Sequence, residues 1–188
     1  RAVAVQVDGR VVIGGGFTLI NGVSRNYIAR LTATGGLDAG FNVGSGANNT
    51  VYSLVLQADG KVILGGQFGV VNGAALTGVA RLNSNGTLDL SFDPGLGANS
   101  SVQRLVIQSD GKIVAGGSFS QFDGVLVRSI VRLNGDGSLD TRFNTFAGSG
   151  PNSVVLAVGI DVDGDVMIGG AFTLVEGIAR AYVARLNG

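Results

Sequence analysis

From Val51 to Gln57 the chain reads VYSLVLQ, with Tyr52, Leu54 and Leu56 alternating against Val51, Ser53 and Val55. That period of two predicts a β-strand. Ala58-Asp59-Gly60 follows, and Asp-Gly between apolar runs predicts a hairpin in which the glycine takes the positive φ of a type I′ turn. Lys61 to Phe68 (KVILGGQF) is the return strand, and its Gly65-Gly66 pair predicts a bulge or the close approach of another backbone. A loop through Asn72-Gly73 leads to a third strand, Gly78 to Asn83. A turn at Ser84-Asn85-Gly86 leads to a fourth, Thr87 to Phe92. No segment carries an apolar stripe of period 3.6, so the fold class is all-β.

The same pattern occurs four times. Asp8-Gly9 returns as Asp59-Gly60, Asp110-Gly111 and Asp163-Gly164, in steps of 51, 51 and 53 residues. Arg30, Arg81, Arg132 and Arg185 keep that beat. The repeats fall at about 1–50, 51–101, 102–153 and 154–188, as one array joined by Gly-, Asn- and Ser-rich connectors. Four antiparallel strands per unit at a period near 50 predict β-propeller blades. A parallel β-helix is the rival, but it would not need two tight hairpins in every repeat. The fourth unit carries Asp161 and Asp165 where the others carry Gln and Lys or Arg, and it lacks the L-D-x-x-F segment. The expectation is a parent protein that continues, with further repeats or another copy completing the fold.

The segments QADGKVILGGQF with VARLNSNGTLDLSF, and QSDGKIVAGGSF with VRLNGDGSLDTRF, resemble the delta-60 repeat, a propeller-like repeat of large bacterial surface and secreted proteins. The resemblance covers essentially the whole chain. It implies an extracellular or cell-surface location, display and binding, and no shared catalytic residues.

Composition narrows the chemistry. Lysine plus arginine equals aspartate plus glutamate at 13 each, and the cations are scattered, so there is no electrostatic footprint for nucleic acid. Apolar runs are strand-sized, far short of the roughly 20 residues of a spanning helix. Cysteine is absent, so no disulfide framework exists. Histidine is absent too, which removes Ser-His and Cys-His nucleophiles. The single glutamate, Glu176, stands where other units have Asn21, Asn72 and Asp123, a turn position rather than half of a glycosidase pair. No enzymatic activity is expected.

Candidate residues fall into three groups. Arg30 and Asp38, Arg81 and Asp89, and Arg132 and Asp140 are each eight residues apart across a turn, so each pair is read as a cross-strand brace rather than an anion or sugar site. Arg185 has no equivalent aspartate. Asp161, Asp163 and Asp165 alternate as calcium ligands do, without the closing glutamate of an EF-hand; calcium is the one cofactor considered. Phe17, Phe68, Phe119 and Phe172, with Phe41, Phe92 and Phe143, recur at fixed positions and predict core. Tyr27, Phe122, Phe146 and Tyr182 do not, and are the candidate ligand contacts. The Gly-Gly pairs have no helix to make a phosphate cradle. The sequons at Asn48, Asn85 and Asn99 read as turn and connector residues.

These readings converge on a structural or interaction module. Its variable loops, Leu19–Tyr27, Val70–Thr77, Gln121–Ser129 and Leu174–Ala181, would meet a protein or a glycan at a surface. A lectin-like carbohydrate-binding propeller, possibly appended to a polysaccharide-active enzyme, is the alternative.

Overall fold

The computed structural model describes residues 1–143 and 150–187. Phe146 lies outside the described residues. The chain divides into two compact units, Arg1–Ser91 and Phe92–Gly188, each holding two repeats.

In the first unit, β1 (Ala2–Val5), β2 (Val11–Gly14), β3 (Leu19–Ile20), β4 (Val23–Ser24) and β5 (Ile28–Leu31) form the first repeat. The second repeat contains β6 (Val51–Leu56), β7 (Val62–Gly66), β8 (Val70–Val71), β9 (Ala74–Ala75) and β10 (Val79–Leu82). In the second unit, the third repeat runs β11 (Val102–Ile107), β12 (Ile113–Gly117), β13 (Gln121–Phe122), β14 (Val125–Leu126) and β15 (Ile130–Leu133). The fourth has β16 (Val155–Ile160), β17 (Val166–Gly170), β18 (Leu174–Val175), β19 (Ile178–Ala179) and β20 (Val183–Leu186). Each repeat is a three-stranded antiparallel sheet, ordered β1-β2-β5 in the first, plus a separate two-stranded hairpin, β3-β4 in the first.

Two sequence expectations are corrected. The expected fourth strand of the first three repeats is only a single bridge, such as Leu82 to Leu88. Asp89 accepts the backbone N–H of Ser91 at 3.0 Å, as Asp38 accepts that of Gly40 and Asp140 that of Arg142. This local side-chain bond competes with a continued ladder and turns the chain away. The Asp-Gly loops are not type I′ either. Of their residues only the glycine has positive φ, 81° at Gly60, whereas type I′ needs two. Gly60 N–H donates to Gln57 O and Gln57 N–H to Lys61 O, a three-residue loop with the glycine in the left-handed region. The type I′ turns sit instead at the small hairpins, at Asn21-Gly22, Asn72-Gly73, Asp123-Gly124 and Glu176-Gly177, where both residues have positive φ.

The Gly-Gly pairs carry the expected bulge, and the second glycine lies under the approaching backbone oxygen, Thr50 O at Gly66, while the first, at Gly14 and Gly116, seats side chains. The register slips between Val51 and Ser53 opposite Gly65-Gly66, and likewise in the third and fourth repeats. A Cβ at Gly14 would stand 2.6 Å from Val51 Cγ1 and 3.3 Å from Leu54 Cδ1. The second repeat therefore seats two aliphatic side chains where the first has none. In the second unit, Val155 and Val158 seat on Gly116 in the same way. The cores are aliphatic with buried phenylalanine: Phe41 and Phe68 in the first unit, Phe92, Phe119 and Phe172 in the second.

Candidate functional site

The arginine braces form as expected. Arg30 Nε donates to Asp38 Oδ2 at 2.8 Å, Arg81 to Asp89 at 2.7 Å and Arg132 to Asp140 at 2.9 Å. A second cation shares each carboxylate: Arg10 Nε at 3.3 Å, Lys61 Nζ at 2.9 Å and Lys112 Nζ at 3.0 Å. The glutamines of the first strands complete the frame, with Gln6, Gln57 and Gln108 accepting from the guanidinium Nη1. The Arg30 and Arg132 guanidiniums lie 4.6 and 4.7 Å from the Phe41 and Phe143 ring centres. Burial alone would raise the carboxyl of Asp89, but hydrogen bonds from Ser91, Lys61 and Arg81 outweigh it and hold the group well below the usual carboxylate range. Asp140 is lowered in the same sense: burial opposes, while Lys112, the Arg142 N–H and Arg132 prevail. A buried guanidinium already bound by a carboxylate, a glutamine and a ring is occupied by structure.

The fourth repeat rebuilds the brace with other residues. Arg185 has partners: its Nε lies 2.9 Å from Asp161, and its Nη2 lies 3.0 Å from Asp163 and 2.8 Å from Asp165. The expectation of an unpartnered Arg185 is corrected, because the substitutions at 161 and 165 supply the carboxylates. The three aspartates thus converge on a guanidinium. Asp161 Oδ1 also accepts the N–H groups of Asp163 and Asp165. Among the described residues no group of three or more acidic side chains has metal-holding geometry.

The candidate aromatic contacts separate. Phe122 is fully buried, its ring meeting Phe119 edge to face at 6.2 Å, so its expected surface role is corrected. It falls on β13, whose bridge from Ala98 covers it. Tyr27 is half-buried against the first unit's core. Tyr182 is exposed. Both tyrosines occupy the position of Gly78 and Ser129, and all four residues have positive φ, a regularity that periodicity of residue type concealed.

The variable loops are the small hairpins, and those of the second, third and fourth repeats are held by a common frame. Asn48 Oδ1 accepts the N–H groups of Gly69 and Val70; Asn99 does the same for Ser120 and Gln121, and Asn152 for Thr173 and Leu174. Two of the three sequon asparagines are therefore backbone clamps. The exposed side chains of the hairpins include large aliphatic ones: Leu19 and Val23 in the first repeat, Val125 and Leu126 in the third, and Leu174 and Ile178 in the fourth. In the second unit a cleft of about 580 Å³ opens beside the third hairpin, with Ser118, Ser120, Arg128 and Asn152 among its lining.

Among solved structures, the WD40 β-propeller domain of Doa1 matches with a TM-score of 0.58 at 17% identity, over 90% of this chain and 47% of that one. The extracellular domain of the hybrid two-component system BT3049 from B. thetaiotaomicron matches with a TM-score of 0.47 at 14% identity, over 100% of this chain and 21% of that one. This chain thus spans about half or less of the solved chains it resembles. No curated protein sequence matches it. The fold is a β-propeller fold of four repeats. The profile described as "Domain of unknown function (DUF5122) beta-propeller" matches residues 6–41, 57–92, 108–143 and 163–188, and the chain belongs to that family.

Proposed function

We propose that this chain is a non-catalytic display module of a bacterial secreted or cell-surface protein, whose hairpins bind a protein partner. One observation carries the reading. In the first unit the hairpin of the first repeat exposes the large aliphatic side chains of Leu19 and Val23; in the second unit the hairpins of the third and fourth repeats expose those of Val125, Leu126, Leu174 and Ile178. An exposed apolar side chain on a loop contributes nothing to the core, whereas a cluster of them is what a protein interface buries. The hairpins are pre-ordered by type I′ turns, and those of the third and fourth repeats also by asparagine clamps, so little conformational entropy is lost on binding. The likeness to the delta-60 repeat supports the surface location.

The second reading, carbohydrate binding, rests on the cleft beside the third hairpin, which is lined by Ser118, Ser120, Asn152 and the cationic Arg128. Labelled chain probed in parallel on surface-protein and glycan arrays separates the two. The protein reading expects binding to protein spots that Leu126→Asp with Ile178→Asp abolishes while the melting temperature stays unchanged. Glycan binding alone, untouched by those substitutions, sinks it.

A further inference from the structure

The fourth repeat has an open sheet face that the first and third repeats do not. Ala157 pairs Gly169 and Gly159 pairs Met167, while Val183 pairs Gly169 and Arg185 pairs Met167, so these six residues share one face. The matching face of the first repeat, by the same register, is Ala2, Ala4, Val12, Gly14, Ile28 and Arg30. There Val12 and Ile28 are 0% exposed and Arg30 is 8% exposed, because β6 lies across β1 and β2. In the fourth repeat Val183 is 61% exposed and the Arg185 side chain 50%. A Cβ at Gly169 would meet nothing closer than Ala157 Cβ at 3.6 Å, where Gly14 and Gly116 each receive two aliphatic side chains.

The first repeat carries the counterpart. Val3 and Val5 stand at the positions of Leu54 and Leu56, the first of which seats on Gly14; they are 66% and 65% exposed, while Leu54 is 8% exposed. Val158 and Ile160 fill the same positions in the fourth repeat, and Val158 seats on Gly116. One end of the array therefore has an empty glycine hole, and the other exposes Val3 at the position of Leu54 and Val158, each of which is one of the two aliphatic side chains that fill such a hole within this chain.

We propose that the Gly169 face of one copy takes the Val3 face of a second copy, head to tail, repeating the interface that the first repeat makes with the second and the third with the fourth. The polar contacts point the same way. Arg30 Nη1 donates to Ser84 O, in the second repeat's turn, at 2.7 Å. Ala33 holds that turn position in the first repeat, where Thr32 and Gly36 close the loop as Asn83 and Thr87 do. On docking, Arg185 exchanges its contact with the exposed carboxylate of Asp163 for Ala33 O of the second copy. The contact is heterologous, so each copy uses one face to give and the other to receive. It involves the sheet faces and is independent of the hairpin reading.

Sedimentation velocity on the 188-residue chain over a concentration series tests this. The wild type should reach at least twice its 18.9 kDa mass. Gly169→Val blocks the hole and Val3→Asp charges the plug; each alone should remain at the single-chain mass with unchanged circular dichroism and melting. Mixed in equal amounts the two variants should recover a species of two chains, because each retains the face that the other lacks. Val183→Asp substitutes for Gly169→Val should the latter unfold. A wild type that stays at the single-chain mass at every concentration overturns the proposal, as does self-association that survives both substitutions or that the mixture fails to restore.

Discussion

Arg81 Nε donates to Asp89 Oδ2 at 2.7 Å with both side chains only 8% exposed. The pair closes the second repeat by joining its third strand to the segment beyond the turn, as the equivalent pairs do in the first and third, and Lys61 reaches the same carboxylate from β7's leading end at 2.9 Å. Asp89 therefore holds together β10, the segment beyond its turn and the leading end of β7. Removing it leaves two cations facing one buried space.

Asp89→Ala or Asp140→Ala should accordingly destabilise its unit by about 3–5 kcal/mol, the usual cost of orphaning one side of a buried pair. Asp163→Ala, which frees one contact of the half-exposed Arg185, should cost no more than about 1 kcal/mol. Urea melts of the three variants read the difference directly. Equal losses at Asp89 and Asp163 would show that burial is not what makes the brace matter.

Acid should weaken the fold through the same groups. Burial opposes ionisation at Asp38, Asp89 and Asp140, yet neighbouring donors and cations hold all three lower in the folded chain than in the unfolded one. As pH falls, the unfolded chain takes up these protons first. The stabilisation is complete above the ordinary carboxylate value near 4 and is lost progressively below it. Urea midpoints should be flat from neutral pH down to about 5 and then fall, and Asp89→Asn should start lower but lose less on acidification. A stability maximum below about pH 4 would contradict the assignment.

Much of this was legible in the sequence for a physical reason. Brace residues, core phenylalanines and Gly-Gly pairs recur because every repeat solves the same packing problem, and repetition exposes them. Arg30, Asp38 and Phe68 announce themselves by spacing alone. What spacing hid was conformation. Tyr27, Gly78, Ser129 and Tyr182 share a left-handed backbone but no side-chain chemistry, so nothing in residue type marks them as one position. Phe122 looked irregular because aliphatic residues fill its place elsewhere: Ile20, Val71 and Val175 occupy the matching hairpin strands. The type I′ turns were hidden by the same cause, since Asn, Asp and Glu all stand at their first position. The open faces at Val3 and Gly169 depend on which neighbours are present, which no local pattern records.

Phe122→Ala should cost about 3–5 kcal/mol, as for a large aromatic lost from a close-packed site. The ring is fully buried against Phe119 beneath the Ala98 bridge. Tyr182→Ala, at an exposed ring, should fall within about 0.5 kcal/mol of wild type apart from its positive φ of 68°. Thermal melts of the two variants distinguish a core aromatic from a surface one.

Glycine substitutions should separate covered from open faces. At Gly116 an added Cβ would lie 2.6 Å from Val155 Cγ1 and 2.7 Å from Val158 Cγ2, so Gly116→Ala should cost about 1–3 kcal/mol. At Gly169 the nearest atom would be an ordinary contact at 3.6 Å, so Gly169→Ala should be neutral or slightly stabilising. The two positions are equivalent by register, and neither glycine has positive φ, so backbone conformation cancels from the comparison. Urea melts of the single-chain species check it.

Glu176 has a φ of 52° at the first position of a type I′ turn, where the first two repeats place Asn21 and Asn72. The left-handed region costs a long side chain more than asparagine, whose amide can satisfy its own backbone. Glu176 is exposed, and among the described residues its carboxylate has no hydrogen bond or ion pair on which a loss could fall. Glu176→Asn should therefore stabilise the second unit by about 0.5–1 kcal/mol and Glu176→Gly by a similar amount, whereas Asn72→Glu in the first unit should cost as much or more. Asn72 additionally accepts the N–H of Ser45 at 3.3 Å, a bond the longer side chain would lose. Chemical melts of all three variants give the signs. A stabilising Asn72→Glu would show that the backbone strain assigned to this turn is absent.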